Sequence, residues 1–179
     1  MNISTERLTI RPVTRHDIDF IHQLHSLPET DRYNTLGLPA TIDDTAATLE
    51  GWLQEQQAIP AKRYTWIIEN IEAEFVGLAG IIMGKPKYLL ADLWYKIHPD
   101  SWRKGYATEV VQHILKFAFK ELHLHRIEAG CAVENTASAR VMEKAGMKRE
   151  GLRRKVLPIR GSWADAYSYA ILDEDYLKM

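Results

Sequence analysis

Asp92-Leu93-Trp94-Tyr95-Lys96-Ile97-His98-Pro99-Asp100-Ser101-Trp102-Arg103-Lys104-Gly105-Tyr106-Ala107-Thr108 reads as a strand that passes through a short loop into the start of a helix. The first turn of a helix carries unpaired N–H groups and the positive end of the macrodipole, which suits the loop from Arg103 to Thr108 to an anion. Gly105 and the small Ala107 allow phosphates close to the backbone, and Arg103 and Lys104 add positive charge there. Strand-to-helix loops also carry Gly and Lys for turn geometry and solubility, so these residues alone leave both readings open.

Outward from this segment the periodicity predicts the rest of the fold. Ala107, Val110, Val111, Ile114, Leu115, Ala118 and Leu122 form one apolar helical stripe. Before it, the runs Tyr64 to Glu69, Phe75 to Met83 and Tyr88 to Ile97 have connections short enough for an antiparallel meander. After it, Arg126 to Val133 is a strand, and the intervening helix makes it parallel to the strand ending at Ile97, by a right-handed crossover. A helix from Asn135, a good N-cap, to Ala145 ends at Gly146, and a hairpin turns about Arg160-Gly161 between a run ending near Ile159 and Ser162 to Leu172. Near the start, Leu8 to Val13 is a strand. A helix follows, capped by Thr14 with Asp17, faced by Ile18, Ile21 and Leu24 and stopped by Pro28. Glu29 to Ala40 reads as loop, and Thr41 or Asp43 caps a second helix that buries Leu49, Trp52 and Leu53. The expected fold is α/β (α+β), one domain over 1–179 with a mixed, mostly antiparallel sheet flanked by helices.

Composition excludes several function classes. Apolar residues at 46% and charged residues at 26% are ordinary for a folded domain, and a net charge of −1 gives no overall attraction to nucleic acid or anionic membrane. Neither is expected as a partner. A basic stretch from Arg140 to Arg160 fits either an anionic ligand or a solvated face. Cys131 is the only cysteine, so no intrachain disulfide forms, and the start lacks a signal peptide's apolar region; a cytoplasmic location is expected.

Trp102-Arg103-Lys104-Gly105-Tyr106-Ala107 resembles the pyrophosphate-binding loop of GNAT acetyltransferases, (Gln/Arg)-x-x-Gly-x-(Gly/Ala), with Trp102 where Gln or Arg is usual. The branch that acetylates ribosomal-protein N-termini accepts an aromatic there. That branch is also resembled by Thr5-Glu6-Arg7-Leu8-Thr9-Ile10-Arg11-Pro12, by the run from Asn135 through Ser138 and Met142 to Met147, and by Gly161-Ser162-Trp163-Ala164-Asp165. The resemblance implies acetyl-CoA as co-substrate and an amine acceptor, a peptide N-terminus, polyamine or other small amine, used by a monomer or homodimer. It implies a splayed parallel strand pair, with Tyr95, Lys96 and Ile97 offering backbone to the pantetheine arm and Asn135 beside it. Trp102, Arg103, Lys104, Gly105, Tyr106, Ala107 and Thr108 complete the coenzyme-binding set.

Acetyl transfer requires a neutral amine, stabilisation of the oxyanion and a proton for the departing thiolate. Asp92 and His98 are the candidate bases, and Asp92 equally fits an anchor for a cationic substrate. Many relatives carry a tyrosine as acid where Met142 stands; the resemblance assigns that role to Ser138, whose hydroxyl also suits a bond within its own helix. Loss of that tyrosine keeps a non-catalytic acyl-CoA-binding domain as the alternative. No metal is expected: His22 with His25, and His123 with His125, lack acidic or cysteine partners at ligand spacing. Cys131 reads as a buried, inert thiol. Trp163, Tyr167 and Tyr169 read as a core sheet face, with Trp163 bordering the substrate cleft.

Overall fold

Residues 2–178, the part of the chain described by the computed structural model, form an eight-stranded mixed sheet with helices on both faces. In chain order the strands are β1 (Ile3–Ser4), β2 (Leu8–Pro12), β3 (Arg63–Asn70), β4 (Phe75–Met83), β5 (Leu90–Ile97), β6 (Arg126–Ala132), β7 (Lys148–Ile159) and β8 (Ser162–Leu172). The helices are α1 (Ile18–Ser26), α2 (Pro28–Asp31), α3 (Ile42–Gln57), α4 (Tyr106–Lys120), α5 (Thr136–Lys144) and α6 (Asp173–Tyr176). The strands lie in the order β1-β2-β3-β4-β5-β6-β8-β7, antiparallel except for the pair β5–β6. The expected mixed sheet, meander, crossover and hairpin are all present.

Two cores hold the layers together. Val110, Val111, Ile114, Leu115 and Ala118 of α4 pack with Trp66, Ile68, Ile81, Leu93 and Ile127 on one face of the sheet. Ile21 and Leu24 of α1 and Leu49 and Leu53 of α3 pack with Ile67 and Leu78 on the other. Period-2 strands and period-3.6 helices allow this only where a strand is apolar on both faces, as β4 is along the continuous run Val76 to Ile81. Thr14 with Asp17 makes a capping box at the 3₁₀ turn Arg15–Asp17 that leads into α1, and Thr41 with Asp44 makes one at the start of α3.

Five expectations require correction. Glu29 to Ala40 is not all loop: Pro28 starts α2 as its first residue, where a missing N–H costs nothing and the fixed φ suits a helix. Tyr88 lies in a 3₁₀ turn over Pro86–Tyr88, and after Leu89, at φ 48°, the strand begins only at Leu90. Leu122 falls beyond the end of α4, and Trp52 is only partly buried beside the second core. Trp163 is 59% exposed near the tip of the β7–β8 hairpin, whereas Tyr169 is fully buried.

Candidate active site

The sheet divides where β5 and β6 part. Their parallel pairing joins Leu90 to Arg126, Ala91 to Ile127 and Asp92 to Glu128, and it goes no further. β5 continues to Ile97, held by β4 through Gly77, and β6 continues to Ala132, held by β8 through Ala166. Residues Leu93 to Ile97 thus present a strand edge to a gap, which can accept an extended amide-bearing chain as a further strand. At the far end Trp102 closes the edge, its indole N–H donating to the Ile97 carbonyl at 2.7 Å.

That edge leads through the turn Pro99–Ser101 into the loop before α4. Gly105 caps α4 at φ 82°, a left-handed conformation that glycine adopts without strain, and Arg103 is also left-handed at φ 61°. Among the described residues, the N–H groups from Arg103 to Thr108 meet no protein acceptor. Consecutive free amides at a helix N-terminus, with Arg103 and Lys104 beside them, suit a pyrophosphate in the way the spacing suggested.

Inside the gap Tyr95, Cys131 and Ser138 come together. The Tyr95 hydroxyl lies 2.7 Å from Ser138 Oγ and donates to the Ser138 carbonyl at 3.2 Å. Burial pushes the Tyr95 phenol above its ordinary range, against the opposing bond to Ser138. Burial likewise pushes the Cys131 thiol up to about 11, which keeps it protonated near neutral pH. Met142 is buried in the core, away from any acid role, and Asn135 Oδ1 accepts the Ser138 N–H as helix cap, leaving its side-chain NH2 free among the described residues. Along the sequence only the backbone of Tyr95 is marked for the site; its phenol joins the candidate group through the contact with Ser138 in the fold.

The opposite face of β5 carries a different set. Asp92 is exposed at the end of the paired segment, and partial desolvation, then Glu128, raise its carboxyl above the ordinary range while Arg153 opposes them. Lys96 is half-buried with no hydrogen-bond partner among the described residues; desolvation lowers its ammonium to about 8, against the pull of Asp31. Asp31 is 7% exposed with Oδ1 unpartnered, and Arg160 reaches from the hairpin to within 3.6 Å of its Oδ2 and donates to the Pro28 carbonyl at 3.0 Å. Lys96 and Asp31 carried no motif and were legible only once α2 and β5 met. His98 accepts the Asp100 N–H at 3.3 Å as a cap of the turn Pro99–Ser101. His22 bonds Thr45 Oγ1 at 2.8 Å, and His25 packs edge-on against Trp52, both as packing residues.

Comparison with known proteins agrees with this arrangement. The family profile described as Acetyltransferase (GNAT) domain matches residues 7–148. The chain is 34% identical over 181 residues to the uncharacterized N-acetyltransferase YnaD of Bacillus subtilis, covering 98% of this chain and 99% of that protein. It is 26% identical over 171 residues to a spermidine N(1)-acetyltransferase of Vibrio cholerae, covering 96% of each. A GNAT-family acetyltransferase from Bacillus anthracis has the same fold, with a TM-score of 0.84 at 36% identity over 97% of this chain and 99% of that one. A split parallel pair, a free-amide loop and full-length relatives of one kind converge on a single assignment: the chain belongs to the GNAT family of N-acetyltransferases, enzymes that take their acyl group from acetyl-CoA.

Proposed function

We propose that this enzyme transfers the acetyl group of acetyl-CoA to a primary amine by direct attack on the thioester. The observation that carries the reading is the continuity of the unpaired β5 edge with the free amides of Arg103 to Thr108, with Tyr95 and Ser138 inside the same gap. The loop residues Trp102 to Thr108 would hold the pyrophosphate, and the backbone of Tyr95 to Ile97 the pantetheine, with Asn135 offering its free amide N–H groups.

The amine enters from the face that bears Asp92 and Lys96. Its proton passes to Asp92 or to water, its nitrogen bonds to the thioester carbon, and a backbone N–H in the unpaired β5 edge stabilises the developing oxyanion. The C–S bond then breaks, and the thiolate takes a proton relayed by the Ser138–Tyr95 pair. The Vibrio cholerae relative acts on spermidine, which supports polyamines beside peptide N-termini as acceptors to try.

The test is thiol release from acetyl-CoA with spermidine, spermine and short free-amino peptides. Release that requires both acetyl-CoA and an amine is expected. Coenzyme binding without release across all these amines would support the non-catalytic alternative instead.

A further inference from the structure

The block Thr5-Glu6-Arg7-Leu8 has no part in the chemistry above, yet it reaches directly onto the coenzyme loop. We infer that Arg7 is a positioning residue for the pyrophosphate cradle, acting through Glu109 and the carbonyl of Lys104. The inference rests on the reading of Arg103 to Thr108 as that cradle.

Its guanidinium makes a fork. Nε and Nη2 donate to Glu109 Oε2 at 2.8 and 2.6 Å, and Nη1 donates to the Lys104 carbonyl at 2.9 Å. The same group lies 4.9 Å over the Tyr106 ring, and a Cβ built on Gly105 would come 3.4 Å from Nη2. Thr5 completes the clamp by donating its hydroxyl to Glu109 Oε1, which also accepts the Arg7 backbone N–H at 3.3 Å.

Two physical consequences follow from this geometry. A trans peptide is planar with its C=O and N–H opposed, so drawing the Lys104 carbonyl toward Arg7 turns the Gly105 N–H to the other side, into line with the free amides that follow. That peptide lies between left-handed Arg103 and Gly105, a bend that lacks a helix or sheet to hold it. The second consequence is electrostatic. Glu109 lies in the first turn of α4, where a bare carboxylate would oppose incoming phosphates, and Arg7 neutralises it. Lysine supplies the charge but not the planar fork that grips both groups. Because the Arg7 side chain is 45% exposed, and Glu109, 14% exposed, keeps its hydrogen bond from Thr5, loss of Arg7 should matter less to folding than to the ligand.

The experiment compares Arg7→Gln, Arg7→Lys and Gly105→Val for calorimetric affinity toward coenzyme A, and for turnover with acetyl-CoA and with S-acetylpantetheine, which has no pyrophosphate. Arg7→Gln is expected to weaken coenzyme A binding about tenfold to a hundredfold, the range for hydrogen bonds to charged groups, with turnover at saturating acetyl-CoA nearly unchanged. Its kcat/KM with S-acetylpantetheine should equal that of the parent, and Arg7→Lys, which keeps the charge and the stem over Tyr106, should show a smaller loss in the same pattern. Equal losses with both donors, or unchanged affinity in both Arg7 variants while Gly105→Val loses it, would overturn the inference and leave the loop assignment standing. Unchanged affinity in a folded Gly105→Val protein would instead bring down the loop assignment itself.

Discussion

The Tyr95 hydroxyl on β5 lies 2.7 Å from the Ser138 hydroxyl on α5, a contact that ties the unpaired end of β5 to the helix that follows β6. Either oxygen can be the donor, an arrangement suited to passing a proton between them, with Cys131 beside the pair. Ser138→Ala and Tyr95→Phe are each expected to lower kcat, by up to about 10²-fold, with little change in coenzyme affinity. The double variant should be little worse than the poorer single, because groups that act as a unit are not additive. Full turnover in both singles across pH 6 to 9, in an assay limited by chemistry, would assign the proton to water or substrate.

Gly105→Val places a β-branched residue at φ 82°, which is strained whatever space surrounds it. The cap of α4 must then rotate, and the free amides with it. Coenzyme affinity is expected to fall more than for any other single change in the loop, and calorimetry on a folded variant reads it directly.

Arg153 and Arg154 project from the exposed strand β7, and Arg153 acts on the Asp92 carboxyl. Neither makes an ion pair among the described residues. Neutralising both with glutamine should raise a Michaelis constant and leave the melting temperature nearly unchanged, since exposed charges add little to folding. A large drop in melting temperature with normal kinetics would show a structural role.

Lys96 should titrate near 8 by nitrogen NMR, well below an ordinary lysine, because desolvation opposes its charge. A lysine whose folded value lies below its unfolded value near 10.5 destabilises the fold at any pH below about 8, and the cost fades as pH rises from 8 to beyond 10.5. Lys96→Met is therefore expected to raise the melting temperature at pH 7, with a gain that shrinks above pH 8. A gain that is constant with pH would point to packing in place of charge.

His25 is buried, and burial, followed by Lys96 and His22, lowers its imidazole to about 3. An unfolded histidine titrates near 6.5, so this group's contribution is complete above 6.5 and is lost as pH falls from there toward 3. His25→Leu should flatten that acid limb in a series of thermal melts, whereas an unchanged limb would place the sensitivity elsewhere.

Much of this protein was determined locally. The α4 stripe, the capping box at Thr14, the Arg160-Gly161 turn and the strand-to-helix loop from Trp102 to Thr108 each depend on residues a few positions apart, so periodicity and turn chemistry are enough to read them, whereas the cap of α3 stays divided between Thr41 and Asp43 until the structure places it at Thr41. Trp163 went astray because alternation gives a strand's faces but not how far its neighbours extend over them. What only the tertiary structure decided was which distant side chains meet. Tyr95 finds Ser138 across 43 positions, Arg7 finds Glu109 across 102, and Arg160 reaches Pro28 across 132. Lys96 and Asp31 acquire their unusual surroundings in the same way, since desolvation and Coulomb coupling depend on separation in space, and no local pattern along the chain encodes that separation.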